Sequence, residues 1–343
     1  MSSIGPGRIR FGVVGLGRTW AARFRPAVLR LRDRFAVAAV LDPVAARAEA
    51  EARLLRCVAC TGLAALVERP DVDAVALLAP QWFGLHPVEL ASRAGKPVYL
   101  GVPLPDDPGE LDRLDGLIRA GGVPVFFESP FRHHPATTRL LKLLGSSPGP
   151  VRELFGAIEV EGFDRTRPLG LQAQAHAGPL LLDPGQALVD WCRLVFGSEV
   201  EQVLGSMPGM GVNDEIWRLV LDFGGGRSAT LTLGRAVGTS EEAARASLVE
   251  VHAGGGSVAV SWAGEVRHAV GGAEVVERVA TGADPGEVFL DQFERVARAV
   301  EHSAATWADG VAAARVVAAI RRSADADAWL DPATLAPVAG PTP

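Results

Sequence analysis

Residues Val13–Trp20 read VVGLGRTW, and they place two glycines, Gly15 and Gly17, directly between an apolar run and a segment with helical spacing. That placement has a chemical meaning. A glycine at the first position lets the chain turn sharply, and one at the second lets main-chain amides approach a diphosphate at the start of a helix. Arg18 and Thr19 continue the turn and count with the two glycines as candidate cofactor contacts. Trp20 stands where the fingerprint has its third glycine, which predicts looser helix–strand packing or a rotated helix. Asp42 closes the next apolar run, twenty-two residues after Trp20. An acid there commonly bonds a ribose 2′-hydroxyl and repels a 2′-phosphate. Together these residues point to a dinucleotide, with NAD favoured over NADP. Arg18 and Arg47 are near enough in sequence to keep NADP open. The competing reading is a sheet of the same kind that binds no dinucleotide.

Other residues could handle protons or flat rings. His133, His134 and His176 titrate near neutrality, and His176 lies shortly before Asp183. Each histidine could equally be structural, and Asp183 could equally cap a helix. Asp190 lies seven residues after Asp183, on the same helical face. Trp82 and Phe83, in PQWFG, follow an apolar run at a place where ligands bind in open α/β sheets. Trp82 could stack on nicotinamide or on a planar substrate, which predicts substrates less polar than free sugars; packing under the loop is the alternative. Cys57 and Cys60 form a Cys-x-x-Cys with no second Cys/His pair nearby, so neither a metal nor a redox role is expected.

The elements that must position these residues have two textures. Up to about residue 130, the runs RIRFGVVG, FAVAAVLD, DAVALLAP, PVYLGVP and VPVFFES alternate with helical segments at 20–34, 44–56, 87–94 and 109–120. Continuous rather than alternating apolarity marks strands buried on both faces, hence a parallel sheet covered by helices. From about residue 151, VRELFGAIEV, EIWRLVLDF, RSATLTLGRA, SLVEVHAGGGSVAVSW and EVRHAV read as antiparallel strands around Gly-rich turns. A helix precedes most of them at 185–195, and two more close the chain at 286–300 and 310–323. The expectation is an α/β protein: a doubly wound parallel-sheet domain over 1–130 and a second α/β domain over 131–343 with an open, mostly antiparallel sheet.

Of the 343 residues, 48% are hydrophobic and 22% charged, the balance of a globular chain that buries a core without disulfides. A net charge of −6 argues against nucleic acid or anionic membrane as a main partner. The first fifteen residues lack a signal peptide's apolar core, and no run approaches the ~18 residues that span a bilayer. A cytoplasmic protein acting on a small molecule is expected.

The segment VDAVALLAPQWFGLHPVELASRAGKPVYLGVP resembles that of the glucose–fructose oxidoreductase/inositol dehydrogenase (Gfo/Idh/MocA) family. There a strand ends in Thr-Pro, a helix in Ala-Gly-Lys and the next strand in Glu-Lys-Pro. The resemblance extends through FRHHPATTRLLKLL, GPLLLDPGQALVDWCRLVFG and the two closing helices. It implies a Rossmann domain and a second domain with an open sheet, with nicotinamide and substrate meeting between them. It also implies homodimers or homotetramers built on the outer sheet face. It adds Pro80, Gly101 and Pro103 as cofactor contacts, and Arg132 and Asp183 as substrate contacts. The departures are specific. Glu-Lys-Pro is here Gly101-Val102-Pro103, and the motif histidine of Asp-x-Gly-x-His-x-x-Asp is Ala187, between Asp183 and Asp190.

Neither Val102 nor Ala187 can exchange a proton, and losing a placed acid or base costs ~10²–10⁴-fold in rate. Three readings follow. The first is an NAD(P)-dependent oxidoreductase whose proton chemistry has moved to Asp183 or His176. The second is a non-redox lyase or epimerase. The third is a dinucleotide-binding protein without turnover, acting as a sensor or partner subunit.

Overall fold

The computed structural model describes residues 7–79, 83–146, 149–161, 180–207, 216–236, 247–270, 273–300 and 303–335. Contacts divide the chain into two units. The first gathers the chain up to Leu104, Glu110–Glu128 and Ala283–Val311; the second gathers Pro105–Gly109, Ser129–Gly282 and the chain from Ala312.

The first unit is built on six parallel strands, β1 (Ile9–Val14), β2 (Phe35–Leu41), β3 (Val58–Ala59), β4 (Ala74–Leu77), β5 (Val98–Leu100) and β6 (Val125–Phe127). Their spatial order is β3-β2-β1-β4-β5-β6. The chain reverses direction across the sheet between β1 and β4, the point where doubly wound sheets take their ligands. Five of these strands coincide with the continuous apolar runs, and β4 and β5 are buried at every residue. The crossovers carry α1 (Arg25–Arg30), α2 (Ala45–Leu55), α3 (Leu63–Val67), α4 (His86–Arg93) and α5 (Pro108–Gly121). Ahead of α1, Trp20–Phe24 forms a π-helical turn. A wider turn answers the bulk at the third fingerprint position. The Trp20 ring is buried beside Phe24, with centroids 6.0 Å apart.

One further helix belongs to this unit. Sequence reading groups both closing helices with the second domain, but α8 (Pro285–Ala297) packs within the first. Its Phe293 lies against Phe11 at 5.2 Å and Tyr99 at 5.8 Å between centroids. Arg34 pairs with Asp291 and Glu294 along its edge, and Arg30 with Asp284 and Glu287.

The second unit carries α6 (Pro135–Gly145), α7 (Gly185–Phe196) and an eight-stranded sheet. The strands are β7 (Val151–Glu161), β8 (Gln202–Ser206), β9 (Trp217–Asp222), β10 (Ser228–Ala236), β11 (Leu248–Ala253), β12 (Gly256–Ser261), β13 (Glu265–Val270) and β14 (Ala273–Arg278). In space they run β14-β13-β12-β11-β7-β10-β9-β8, antiparallel except where β7 and β10 pair in parallel. Strict alternation sends Leu154, Leu219, Leu221, Leu231, Val249 and Val251 into a core with α6, α7 and α9 (Trp307–Ala326). The other face leaves Phe155 and Leu248 exposed among Thr230, Thr232 and Glu153.

Candidate functional site

The turn after β1 is fixed by its own main chain. The Gly15 N–H donates to Leu41 O at 2.9 Å, at the end of the neighbouring β2. Gly15 has φ +90°, and a Cβ there would run into Ala79, 2.8 Å from its nitrogen. Only glycine satisfies both demands. Gly17 is the opposite case: a Cβ placed on it meets nothing within 4 Å. The space on its Cβ side is therefore open, which leaves room for a diphosphate at the start of the helical run. The helical run then starts, with Ala21 N–H donating to Gly17 O at 3.0 Å. Arg18 is exposed and Thr19 half-buried. The Trp20 indole N–H is buried with no hydrogen-bond partner among the described residues.

Asp42 holds the turn from the other side. Its Oδ2 accepts the Leu16 N–H at 2.8 Å and its Oδ1 the Val44 N–H at 3.0 Å. Arg47 Nη1 lies 3.3 and 3.4 Å from the two oxygens. Thus Gly15, Gly17 and Asp42 are brought together as the sequence pattern requires, with the carboxylate buried beneath the turn. Pro80 and Trp82, expected at the end of β4, lie outside the described residues, as does His176. Phe83, next in the chain, is half-buried.

At the end of β5 the Gly101 N–H donates to Leu77 O at 3.0 Å. A Cβ on Gly101 would sit 2.9 Å from Leu78 Cδ2, 3.0 Å from Glu128 Oε2 and 3.1 Å from Tyr99 Cε1. Val102 is buried and Pro103 half-buried. Sequence reading missed Glu128. Just past β6, it accepts the Tyr99 O–H at 2.8 Å and pairs with Arg23 on the π-helical turn, its side chain 6% exposed. Burial, then the Glu128 charge, hold the Tyr99 hydroxyl well above the ordinary phenol range. The parallel register of β5 and β6 is the signal that could have found the pair. Leu100 faces Phe127, so the residues flanking them, Tyr99 and Glu128, are neighbours across the two strands.

In the second unit the polar centre is Asp190, fully buried on α7. Ser129 Oγ donates to it at 2.6 Å, Arg132 reaches it through Nε at 3.0 Å and through Nη2, and Arg193 Nη1 lies 3.6 Å away. Arg132, expected as a substrate contact, has its guanidinium fork on this carboxylate. Asp183 is exposed just before α7, while Ala187 is buried within it. Burial and the adjacent Arg132 push the His133 imidazole down to about 4, so it is neutral at pH 7. His134 caps α6, its Nδ1 accepting the Ala136 N–H at 3.2 Å.

Among the described residues no group of three or more His, Cys, Asp or Glu side chains could hold a metal ion. Cys57 and Cys60 flank β3 as free thiols, both raised by burial, Cys57 to about 11. Neither has the low-pKa character of a redox centre. No helix among the described residues is long and apolar enough to cross a membrane.

Comparison with known proteins adds to this geometry. Residues 9–129 match the sequence model of an oxidoreductase family with an NAD-binding Rossmann fold. A dTDP-3,4-didehydro-2,6-dideoxy-α-D-glucose 3-reductase of Streptomyces violaceoruber is 32% identical over 238 residues, covering 66% of each chain. The chain thus spans about two thirds of that relative's length. Solved structures share the fold at lower identity. The UDP-N-acetylglucosamine 3-dehydrogenase of Acidithiobacillus ferrooxidans gives a TM-score of 0.76 at 20% identity, over 93% of this chain and 98% of that one. An oxidoreductase from Agrobacterium radiobacter, solved with NAD+, L-tartaric acid and magnesium, gives 0.80 at 16% identity, over 95% and 99%.

Proposed function

The chain belongs to the Gfo/Idh/MocA oxidoreductase family, whose first unit is an NAD-binding Rossmann fold, and from that premise we propose a nicotinamide-dependent oxidoreductase acting on a carbonyl or hydroxyl of a small substrate. The observation that carries the reading is the pairing of a locked Gly15 with an open Gly17 at the point where the sheet reverses. When bound, the cofactor supplies or accepts the hydride. The protein binds and orients. The main chain at Gly17 and the exposed Arg18 receive the diphosphate, Thr19 borders it, and Asp42 keeps the turn in shape. Pro80, Trp82, Gly101 and Pro103 are assigned to the nicotinamide end.

For the substrate we propose a deoxygenated sugar carbonyl or alcohol carried on a nucleotide. The name of the Streptomyces relative supports this, since it describes reduction of a sugar from which two hydroxyls have been removed. Apolar Val102 and Ala187 suit such a substrate better than a fully hydroxylated one. Proton exchange at the substrate oxygen is assigned to His176 with Asp183, and Arg132, anchored on Asp190, is assigned as a substrate contact. The reading includes a cytoplasmic location and assembly as a homodimer or homotetramer.

Nicotinamide fluorescence during titration with NADH and NADPH tests binding. Incubation with 4-deuterated cofactor and a panel of free and nucleotide-linked ketosugars tests transfer. Deuterium in a nucleotide-linked deoxysugar alcohol is the expected result. Absence of binding overturns the reading. Tight binding with no deuterium transferred to any member decides for a silent dinucleotide-binding protein, the alternative favoured by the two missing proton-handling side chains.

A further inference from the structure

We infer that Arg47 reads the ribose end of the dinucleotide site and selects a cofactor carrying a 2′-phosphate. The inference rests on the proposed reading of the first unit as a dinucleotide site and sharpens which dinucleotide it takes. An acid at the end of β2 favours NAD when its carboxylate is free to accept the ribose 2′-hydroxyl. The Asp42 carboxylate is already engaged. Two main-chain N–H groups, from Leu16 and Val44, donate to its oxygens at 2.8 and 3.0 Å, and the Arg47 guanidinium covers both. Its side chain is 3% exposed, against 48% for that of Arg47. A ribose arriving over the end of β2 therefore meets a guanidinium and not a carboxylate.

The charge balance points the same way. A lone acid would repel a 2′-phosphate, but this one is neutralised by its own ion pair and by the amide dipoles aimed at it. Arg47 engages Asp42 through Nη1 alone among the described residues, so Nε and Nη2 are left to donate. A guanidinium held at one corner and open at the others is suited to a phosphate, which it meets with two parallel donors. Asp42 anchors, and Arg47 selects. NAD binding is retained, because the diphosphate cradle is common to both cofactors; the ribose end sets the preference.

The test is calorimetry on the unliganded protein with NADPH and NADH, and with 2′,5′-ADP and 5′-ADP, so that no turnover is needed. The expected result is that each 2′-phosphorylated ligand binds about tenfold tighter than its partner, an advantage that shrinks as salt is raised. In Arg47→Ala the ratio falls to about one while NADH affinity stays within about twofold, and Arg47→Lys keeps part of the preference. Equal or tighter binding of NADH by the native protein overturns the inference, and that comparison needs no variant to fold. So does an Arg47→Ala protein that loses both cofactors in equal measure. If neither dinucleotide binds, the reading of the unit as a dinucleotide site fails and takes this inference with it. If both bind with NADH ahead, only the inference fails.

Discussion

Gly15 and Gly17 are two residues apart, yet replacing each by alanine should have opposite effects. At Gly15 a methyl group meets two penalties. Its φ of +90° lies in the left-handed region, which costs an alanine about 1–2 kcal/mol. The new carbon also runs into Ala79, 2.8 Å from its nitrogen and 3.0 Å from its Cα. These are main-chain atoms at the end of β4, which yield only if the strand moves, and overpacking of this kind costs about 1–3 kcal/mol. Gly15→Ala is expected to lose about 2–5 kcal/mol, or roughly 4–20 °C in Tm at about 2–4 °C per kcal/mol for a domain of this size. Gly17 has no positive φ and nothing within 4 Å of an added Cβ. Gly17→Ala should leave stability unchanged or raise it by about 0.4–1 kcal/mol, because the unfolded chain loses freedom. Its methyl would stand in the space the diphosphate needs, so NADH affinity should fall by more than about tenfold, over 1.4 kcal/mol. Thermal unfolding by circular dichroism and a fluorescence titration on each variant suffice. A Gly17→Ala protein that binds NADH like the native one, or a Gly15→Ala protein within about 2 °C of it, would refute the assignment of the two roles.

The remaining predictions concern other buried groups. Asp190→Ala removes the carboxylate facing Arg132, whose side chain is only 11% exposed, and should cost about 3–5 kcal/mol in urea unfolding. Arg132→Ala should cost a similar amount and the double variant less than the sum; strict additivity would show that the pair is not coupled. His133 titrates at about 4 when folded, below the 6.5 of an ordinary histidine, so the unfolded chain takes up the proton first as pH falls. Its contribution is therefore complete above pH 6.5 and declines by about 2–3 kcal/mol towards pH 4, a slope that His133→Gln should flatten in pH-dependent unfolding. With its thiol raised to about 11, Cys57 should resist iodoacetamide at pH 8 until denaturant is added; rapid labelling of the native protein, read by mass spectrometry, would contradict its placement.

How much of this was legible in the sequence depends on the range of the interaction concerned. The runs that became β1, β2, β4, β5 and β6 were readable because burial on both faces leaves no polar alternation, a local signature. The second sheet was readable for the complementary reason, since Leu219 and Leu221 point inward while Arg218 points out. β3 has only two residues and gives no period to read. β8 and β14 mark the two edges of the second sheet; in β14 exposed residues outnumber the partly buried ones, which blurs the alternation. The Gly15/Gly17/Asp42 set was legible because one short crossover makes it. The engagement of Asp42 by Leu16, Val44 and Arg47 was not, because main-chain donors leave no trace in residue types. Glu128 was missed because nothing before the register of β5 and β6 places it beside Tyr99 and Gly101.

The membership of α8 in the first unit bears on how the protein comes to exist. On the ribosome, all six strands of the parallel sheet are complete by Phe127, but Phe293 and Phe289, which pack with Phe11, Phe35 and Phe126, come far later. At about 5–20 residues per second, roughly ten to thirty seconds of translation separate Glu128 from Ala297. Throughout that interval the nascent sheet presents uncovered aromatic rings. Synthesis of the nucleotide module thus begins first and ends late, and a chain stopped near residue 130 should be retained by chaperones instead of released as a folded domain.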